Sequence, residues 1–515
     1  MSQLSRRDIL KLSAALLGGS ALSMLSPLSN LARRFDKGDR PNFIILVLDA
    51  MSARNLSTLG YGRPTTPFLE KFASQSTVYH NHYAGGNFTT PGTSTILTGL
   101  YPWTHRAISI SGMVSRAVEK NNIFSLLGSE YTRAAFTQNQ LAYILLGQFS
   151  PDVDKLLSRT SFILQQNVPM PEEKFVNDPT MAYYAFNDYL NASEFYVNPA
   201  SVSMGLIDML SFKKNEIKSV PGYPRGYPYN YHTYFRIEDA LAGLAGLLRE
   251  LDANPSPFFT YFHLLPPHEP YNPRREFIDP FLEDGFTTPS KPRHPLTIFS
   301  RDDEKLSRLR LVYDSFIANV DYEVEHFIRA LDKSGILDSS YLIITSDHGE
   351  LFERGEYGHG TALMYDPVAH VPLIIHAPGQ TARRDVHTLT SNADLLPTIL
   401  SLAGREVPSL VEGRLLPGLG GEEDPDRSVF TIFAKENSAF LPLNKSVMSM
   451  RKDDYHLLYY RGYAGYDDKA ELYHLGEDPD ELRDLSSDDS VTTARMKDEL
   501  LDLSTTADAP YQRKK

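Results

Sequence analysis

Four side chains in this sequence are of the types that hold a divalent cation beside a nucleophile. Asp49 follows the unbroken apolar run Asn42–Leu48, and Asp347 and His348 follow Tyr341–Thr345 with only Ser346 between. Two carboxylates and an imidazole form a ligand set for a divalent metal. The fourth side chain is Thr89, in Asn87-Phe-Thr-Thr-Pro-Gly-Thr-Ser-Thr-Ile-Leu-Thr-Gly99. Here small hydroxyl residues surround a Pro-Gly turn, and Thr93–Leu97 has the pattern of a helix start. A hydroxyl at a helix N-terminus faces free N–H groups and the positive end of the dipole, a seat for an anion. Threonine alone is a poor nucleophile at neutral pH. A metal at Asp49, Asp347 and His348, with Thr89 as a further ligand through its hydroxyl, would activate it and neutralise charge on an attacked phosphate or sulfate ester. Taken by itself, the same stretch reads as a Thr-rich turn capping a helix.

Two further imidazoles stand in loops. His268 follows Pro266-Pro267, and His359 lies between Gly358 and Gly360. Turn residues on their flanks argue against packed core positions. Their chemistry allows three roles: binding the ester oxygens, protonating the leaving group, or ligating a second metal.

These groups need strand ends to bring them together. Asn42–Leu48, Pro257–Leu264, Tyr341–Thr345 and Val371–Ile375 read as strands buried on both faces. Between them lie helical patterns. Thr66-Pro67 opens a short helix through Ala73, with Thr66 as N-cap. Arg236–Leu251 is amphipathic, and Asp302–Leu331 is a long helix. Alternating strands and helices predict an α/β fold with a doubly wound, mostly parallel sheet, in which ligand-binding residues gather at the carboxyl ends of strands. Residues 150–235, rich in Tyr, Asn and Pro, break the rhythm and read as an insertion beside the sheet that forms a substrate rim or packs as loops. From about Asn444 the texture becomes that of a small α+β domain: strands across Ser446–Tyr460 and Glu471–Leu475, then a helix near Ala494–Leu503. The expected division is a signal segment over 1–32, a catalytic domain over 38–435 and a C-terminal domain over 440–515.

Length and charge narrow the function classes. A chain of 515 residues fits a large domain plus a smaller one. With 64 acidic against 51 basic residues, net −13, non-specific nucleic-acid binding is disfavoured. There is no cysteine, which excludes disulfides, thiolate metal sites and Cys nucleophiles. Near the start, Ser5-Arg6-Arg7-Asp8-Ile9-Leu10-Lys11 precedes the weakly apolar run Leu12–Leu25, which has the form of a twin-arginine secretory signal. That predicts export by the twin-arginine machinery to the periplasm or beyond, with the N-terminal segment either removed or kept as a tether. The run is too interrupted for a comfortable membrane span.

As a set, the motifs resemble the sulfatase-like branch of the alkaline phosphatase superfamily. Pro41–Asp49 looks like that family's opening strand and metal aspartate, and Tyr61-Gly62 with Thr66-Pro67 like its next motif. Thr89–Gly99 is similar to its nucleophile segment. Ser346–Glu350 looks like the second metal segment, and Gly358–Gly360 and Val371–Ile375 like the family's next two stretches. Asp394–Thr398 resembles a later helix, and Glu471–Leu475 with Glu477–Glu481 the C-terminal domain. The departures are specific. Where sulfatases of this type carry a Cys or Ser that becomes formylglycine, this chain has Thr89, which cannot yield that aldehyde, and Thr93 replaces the motif's Arg. The family's paired aspartates appear as Asp49-Ala50. Its Gly-Lys-Trp-His stretch falls at Phe136–Asn139, without Lys or His. His348 stands where calcium-dependent members carry Asn, which suits zinc or manganese better than calcium. These changes resemble the Thr-nucleophile phosphoryl-transfer members. The resemblance therefore implies an exported, metal-dependent hydrolase or phosphotransferase. It would act on a phosphate ester, lipid- or glycan-linked, through Thr89, with His268 or His359 assisting the leaving group. Two alternatives stay open: a sulfatase working without formylglycine, and a non-catalytic binding protein on the same fold.

Overall fold

The computed structural model describes residues 40–512, apart from 167–181, 183–184, 186–198, 231–232 and 299–300. The expected signal segment lies outside the described residues. Among those described, no helix is long and apolar enough to cross a membrane.

The centre is an eight-stranded sheet. Its strands in chain order are β1 (Asn42–Leu48), β2 (Thr77–Tyr79), β3 (Thr132–Thr137), β4 (Lys155–Leu156), β5 (Phe258–Leu264), β6 (Ser340–Thr345), β7 (Leu373–His376) and β8 (Arg384–Val386). Across the sheet they run β8-β2-β7-β6-β1-β5-β3-β4. β1 sits in the middle, parallel to β6 and to β5, and β3 is parallel to β5. β7 alone among the central strands is antiparallel to both its neighbours. The sheet is thus mostly parallel, as expected, with Val371–Ile375 contributing its one reversed strand.

The longer helices that cover the sheet and the C-terminal unit include α1 (Pro67–Ala73), α2 (Thr89–Thr98), α3 (Gln140–Phe149), α4 (Ile237–Asp252), α5 (Asp303–Lys333), α6 (Leu395–Leu402) and α7 (Ser490–Asp508). Strand alternation divides the core in two. Ile44, Leu46 and Leu48 face α1, α4 and α5. Phe43, Ile45 and Val47 face α2, α3 and α6. β1 is fully buried along its length, which is why it is apolar without alternation.

Two local expectations need correction. α1 opens at Pro67, but Thr66 does not cap it. The Thr66 hydroxyl instead accepts the Thr58 N–H at 3.1 Å, and the N–H groups of Phe68 and Leu69 are taken by Asp321 of α5 at 2.8 and 3.0 Å. A carboxylate on a packed neighbour thus does the capping. α2 begins at Thr89, not at Thr93. Pro91 fits its first turn because no intrahelical partner exists there for the missing N–H.

Parts of 150–235 form a small three-stranded sheet from Ile163–Gln166, Tyr229–Asn230 and Thr233–Phe235, with a helix over Pro199–Asn215. A separate antiparallel sheet is built from β9 (Ser428–Phe433), β10 (Ser446–Lys452), β11 (Tyr455–Arg461) and β12 (Ala470–His474), in that order. α7 buries Met496 and Leu500 against it.

Candidate active site

Register sets the site. In β1 and β6, Val47 pairs with Thr345, so the next residues on the same face, Asp49 and Asp347, arrive together just beyond the strand ends. Val47 also pairs with His263 of β5, and Thr137 of β3 pairs with His263 from the other side. All of these project onto the α2 side of the sheet. The turn after Asp49 is pinned: Tyr313 accepts the Ser52 N–H at 2.9 Å and donates to the Ala50 carbonyl at 2.6 Å. After β6, the Ser346 hydroxyl accepts the Met51 N–H at 3.0 Å and donates to the His348 carbonyl at 2.6 Å.

Asp49, Asp347 and His348 are fully buried. Among the described residues they form a group of ligand-type side chains whose donor atoms all lie within 4.8 Å of one another. His348 Nε2 is 3.3 Å from Asp49 Oδ1 and 3.7 Å from Asp347 Oδ2. Those three atoms have no hydrogen-bond partner. Buried polar atoms left unpaired are costly, so three of them converging on one point fit a cation. The electrostatics agree. Burial works against ionising Asp49, yet the charge of His268 and the close approach of His263 and His348 hold it well below the usual carboxylate range. Burial and the neighbouring Asp49 charge push Asp347 up. For His348, burial alone would lower the pKa, but the two carboxylates outweigh it and raise the imidazole to about 9. Two carboxylates this close demand positive charge, from protons or from a metal.

Thr89 is buried at the first position of α2. What ties it to the carboxylates is Asn139, whose Nδ2 donates to Asp49 Oδ2 at 2.5 Å and to Thr89 Oγ1 at 3.1 Å. The Asn139 Oδ1 is engaged as the N-cap of α3, accepting the N–H groups of Leu141 and Ala142 at 2.7 and 3.3 Å. α2 itself is pressed onto Asp347. A Cβ at Gly92 would lie 2.1 Å from the Asp347 carbonyl oxygen, so only glycine allows this approach.

His268 and His359 meet over the same place. Their ring centroids are 4.7 Å apart, and His359 is 4.3 Å from His348. His268 Nδ1 rests on the Glu269 carbonyl, and His359 Nδ1 lies 2.9 Å from Glu350 Oε1. Burial lowers His359 to about 4, with Glu350 opposing and the His348 charge assisting. From the insertion, Asn230 donates to the Gln138 carbonyl at 3.0 Å, next to Asn139.

All six residues singled out in the sequence thus lie in one neighbourhood. Two others in it carried no role in the sequence reading. Asn139 looked only like the loss of Lys and His from a motif, and His263 looked like one more residue of a buried strand. A histidine one residue before the end of a mostly apolar strand was the available signal.

Comparisons with known proteins identify the family. The family model described as Sulfatase matches residues 41–405, and that described as N-sulphoglucosamine sulphohydrolase, C-terminal, matches residues 355–506. Arylsulfatase K of Xenopus laevis is 29% identical over 264 residues, 45% of this chain and 48% of the relative, so the chain spans about half the length of that relative. An arylsulfatase of Clostridium perfringens is 22% identical over 471 residues, 87% of this chain and 90% of the relative. Among solved structures, the phosphonate monoester hydrolase of Agrobacterium radiobacter superposes with a TM-score of 0.65 at 21% identity, covering 91% of this chain and 96% of the other.

Proposed function

This chain belongs to the sulfatase family of ester hydrolases, and from that premise we propose that it is an exported, metal-dependent hydrolase or phosphotransferase that opens a phosphate ester with Thr89 as nucleophile. One observation carries the reading. A buried threonine hydroxyl, in a chain without cysteine, is held by Asn139 against Asp49, whose carboxylate converges with Asp347 and His348 on a point of unpaired ligand atoms. Threonine cannot become formylglycine, so its own oxygen must attack.

Asp49, Asp347 and His348 would hold the cation, which supplies Lewis-acid stabilisation of the ester and lowers the pKa of the threonine hydroxyl. Asn139 fixes Thr89 Oγ1 for in-line approach, and the N-terminus of α2 favours the anionic group. Thr89 gives its hydroxyl proton to water as Oγ1 bonds to phosphorus and the ester P–O bond breaks. The departing oxygen takes a proton from His268 Nε2. His359 donates Nδ1–H to Glu350, which leaves its Nε2 with a free lone pair. That nitrogen is suited to accept a proton from the water or acceptor alcohol that next attacks phosphorus and releases Thr89, which recovers its proton from water, and passing the accepted proton to the neighbouring His268 ring restores both imidazoles.

The arginine pair at Arg6-Arg7 supports export, and the Tyr-rich insertion beside Asn139 supports a bulky, lipid- or glycan-linked substrate. The test is a parallel assay on aryl phosphate, phosphodiester, phosphonate and aryl sulfate substrates, with intact-mass analysis of quenched enzyme. A phosphate adduct mapping to Thr89 is the expected result. Full phosphatase activity in Thr89→Ala would sink the reading, and turnover of the sulfate alone would favour a sulfatase that works without formylglycine.

A further inference from the structure

We propose that His263 Nε2 is a further protein ligand of the divalent cation, joining Asp49, Asp347 and His348 in a set of two carboxylates and two imidazoles beside Thr89. The inference rests on the metal-dependent reading of the site and adds to it a residue on a different strand.

His263 is fully buried in β5, and neither strand end nor loop gives its ring access to water. Its Nε2 lies 3.1 Å from Asp49 Oδ2 and 3.8 Å from Asp347 Oδ2, yet it has no hydrogen-bond partner. An imidazole nitrogen walled in this way costs about 1–3 kcal/mol unless something else occupies its lone pair or its proton. Ligands bound at about 2.0–2.1 Å around a tetrahedral centre stand about 3.3 Å from each other. The spacings here, 3.1 and 3.8 Å for His263 and 3.3 and 3.7 Å for His348, scatter around that value. His263 falls outside the group whose donor atoms all lie within 4.8 Å of one another but touches both of its carboxylates.

Its other nitrogen is already oriented. Nδ1 is 3.1 Å from the Tyr261 hydroxyl, and when Nδ1–H donates to that oxygen, Nε2 presents a lone pair. Tyr261 is two residues back on the same face of β5, so the strand supplies both ligand and orienting partner. The position beside Asp49 leaves room for this. Ala50, in the left-handed region at φ 60°, offers only a methyl group. Two nitrogens in the set shift its preference from calcium towards zinc or manganese.

The experiment uses the purified full-length chain loaded with one equivalent of zinc. X-ray absorption at the zinc edge counts imidazoles directly, without any variant. Two imidazoles, falling to one in His263→Gln with a 10- to 100-fold or greater loss of zinc affinity by chelator competition, is the expected result. Cobalt(II)-loaded protein should show a matching change in its d–d spectrum, with circular dichroism confirming the fold of the variant. One imidazole in the wild type, or unchanged affinity and spectrum in His263→Gln, would overturn the assignment of His263 while leaving the three-ligand site standing. Failure of the wild type to bind zinc, manganese or cobalt would overturn the metal-dependent reading itself, and this proposal with it.

Discussion

Asn139 is the residue whose replacement separates positioning from folding. Its side chain makes four bonds: donors to Asp49 and Thr89, acceptors for the first N–H groups of α3. Asn139→Ala removes all four. Loss of an N-cap costs about 1 kcal/mol, and loss of a bond to a charged acceptor about 1.5–3 kcal/mol, so a destabilisation of about 3 kcal/mol is expected. With Thr89 no longer tethered, kcat should fall about 100-fold, the usual consequence of a nucleophile displaced by about 1 Å. Asn139→Asp divides the two effects. Its carboxylate still accepts from Leu141 and Ala142, so α3 stays capped, but it cannot donate to Asp49 or Thr89 and sets like charges side by side. The expected pattern is an α3 that stays capped, read as unchanged helical circular dichroism of the folded variant, a fold destabilised by the buried like charge beside Asp49, and kcat on an aryl phosphate lowered at least as far as in the alanine variant. Wild-type kcat in Asn139→Asp would refute the claim that these two donor bonds position the nucleophile.

Other consequences are direct. Gly92→Ala drives a methyl group into the Asp347 backbone, and should cost about 1–3 kcal/mol of stability and a larger share of activity; unchanged turnover would mean that α2 need not sit so close. Chelation of the purified enzyme should abolish turnover and lower the melting temperature, by about 2.7 kcal/mol of stabilisation where metal had stood at 100 times its Kd; zinc or manganese should restore both, and calcium should not. Glu471 joins the two sheets' surroundings, accepting from His294 at 3.0 Å, Tyr466 at 2.6 Å and Tyr365 at 2.8 Å. Burial opposes its ionisation, but these bonds hold its pKa down at about 2, against 4.5 for an ordinary glutamate. A depressed acid stabilises the fold above its unfolded pKa and loses that contribution as pH falls through the folded one. Glu471→Gln should therefore be about 3 kcal/mol less stable at pH 7, the deficit shrinking from pH 4.5 towards pH 2; a deficit independent of pH in urea unfolding would contradict this.

Much of the fold was legible because the central strands are buried on both faces. β1, β5 and β6 read as continuous apolar runs, a pattern that only a covered sheet sustains. Helix interiors followed from periodicity, as in α4 and α5. Boundaries and caps were less legible, since they depend on what packs against the end. Thr66 precedes Pro67 as an N-cap should, yet Asp321, distant in sequence, takes the N–H groups. The reversal of β7 was equally hidden, because an apolar run carries no sign of direction.

The same distinction explains the site. Asp49 and Asp347 interrupt apolar runs with charge, and parallel strand ends converge whatever their separation in the chain, so two local patterns sufficed to join them. Asn139 and His263 offer no such contrast. Asn139 lies two residues beyond β3 among ordinary polar residues, and its value comes from bridging Asp49 and Thr89, a three-body relation with no local trace. His263 matters through register: paired with Val47, it falls on the face of the sheet that α2 covers, and a shift of one residue would have turned it into the opposite core. Three strands in register and one glycine at the helix approach concentrate the ligand-type atoms at one point. That point is therefore a property of the sheet, and on the function proposed for it the threonine at position 89 sets the chemistry.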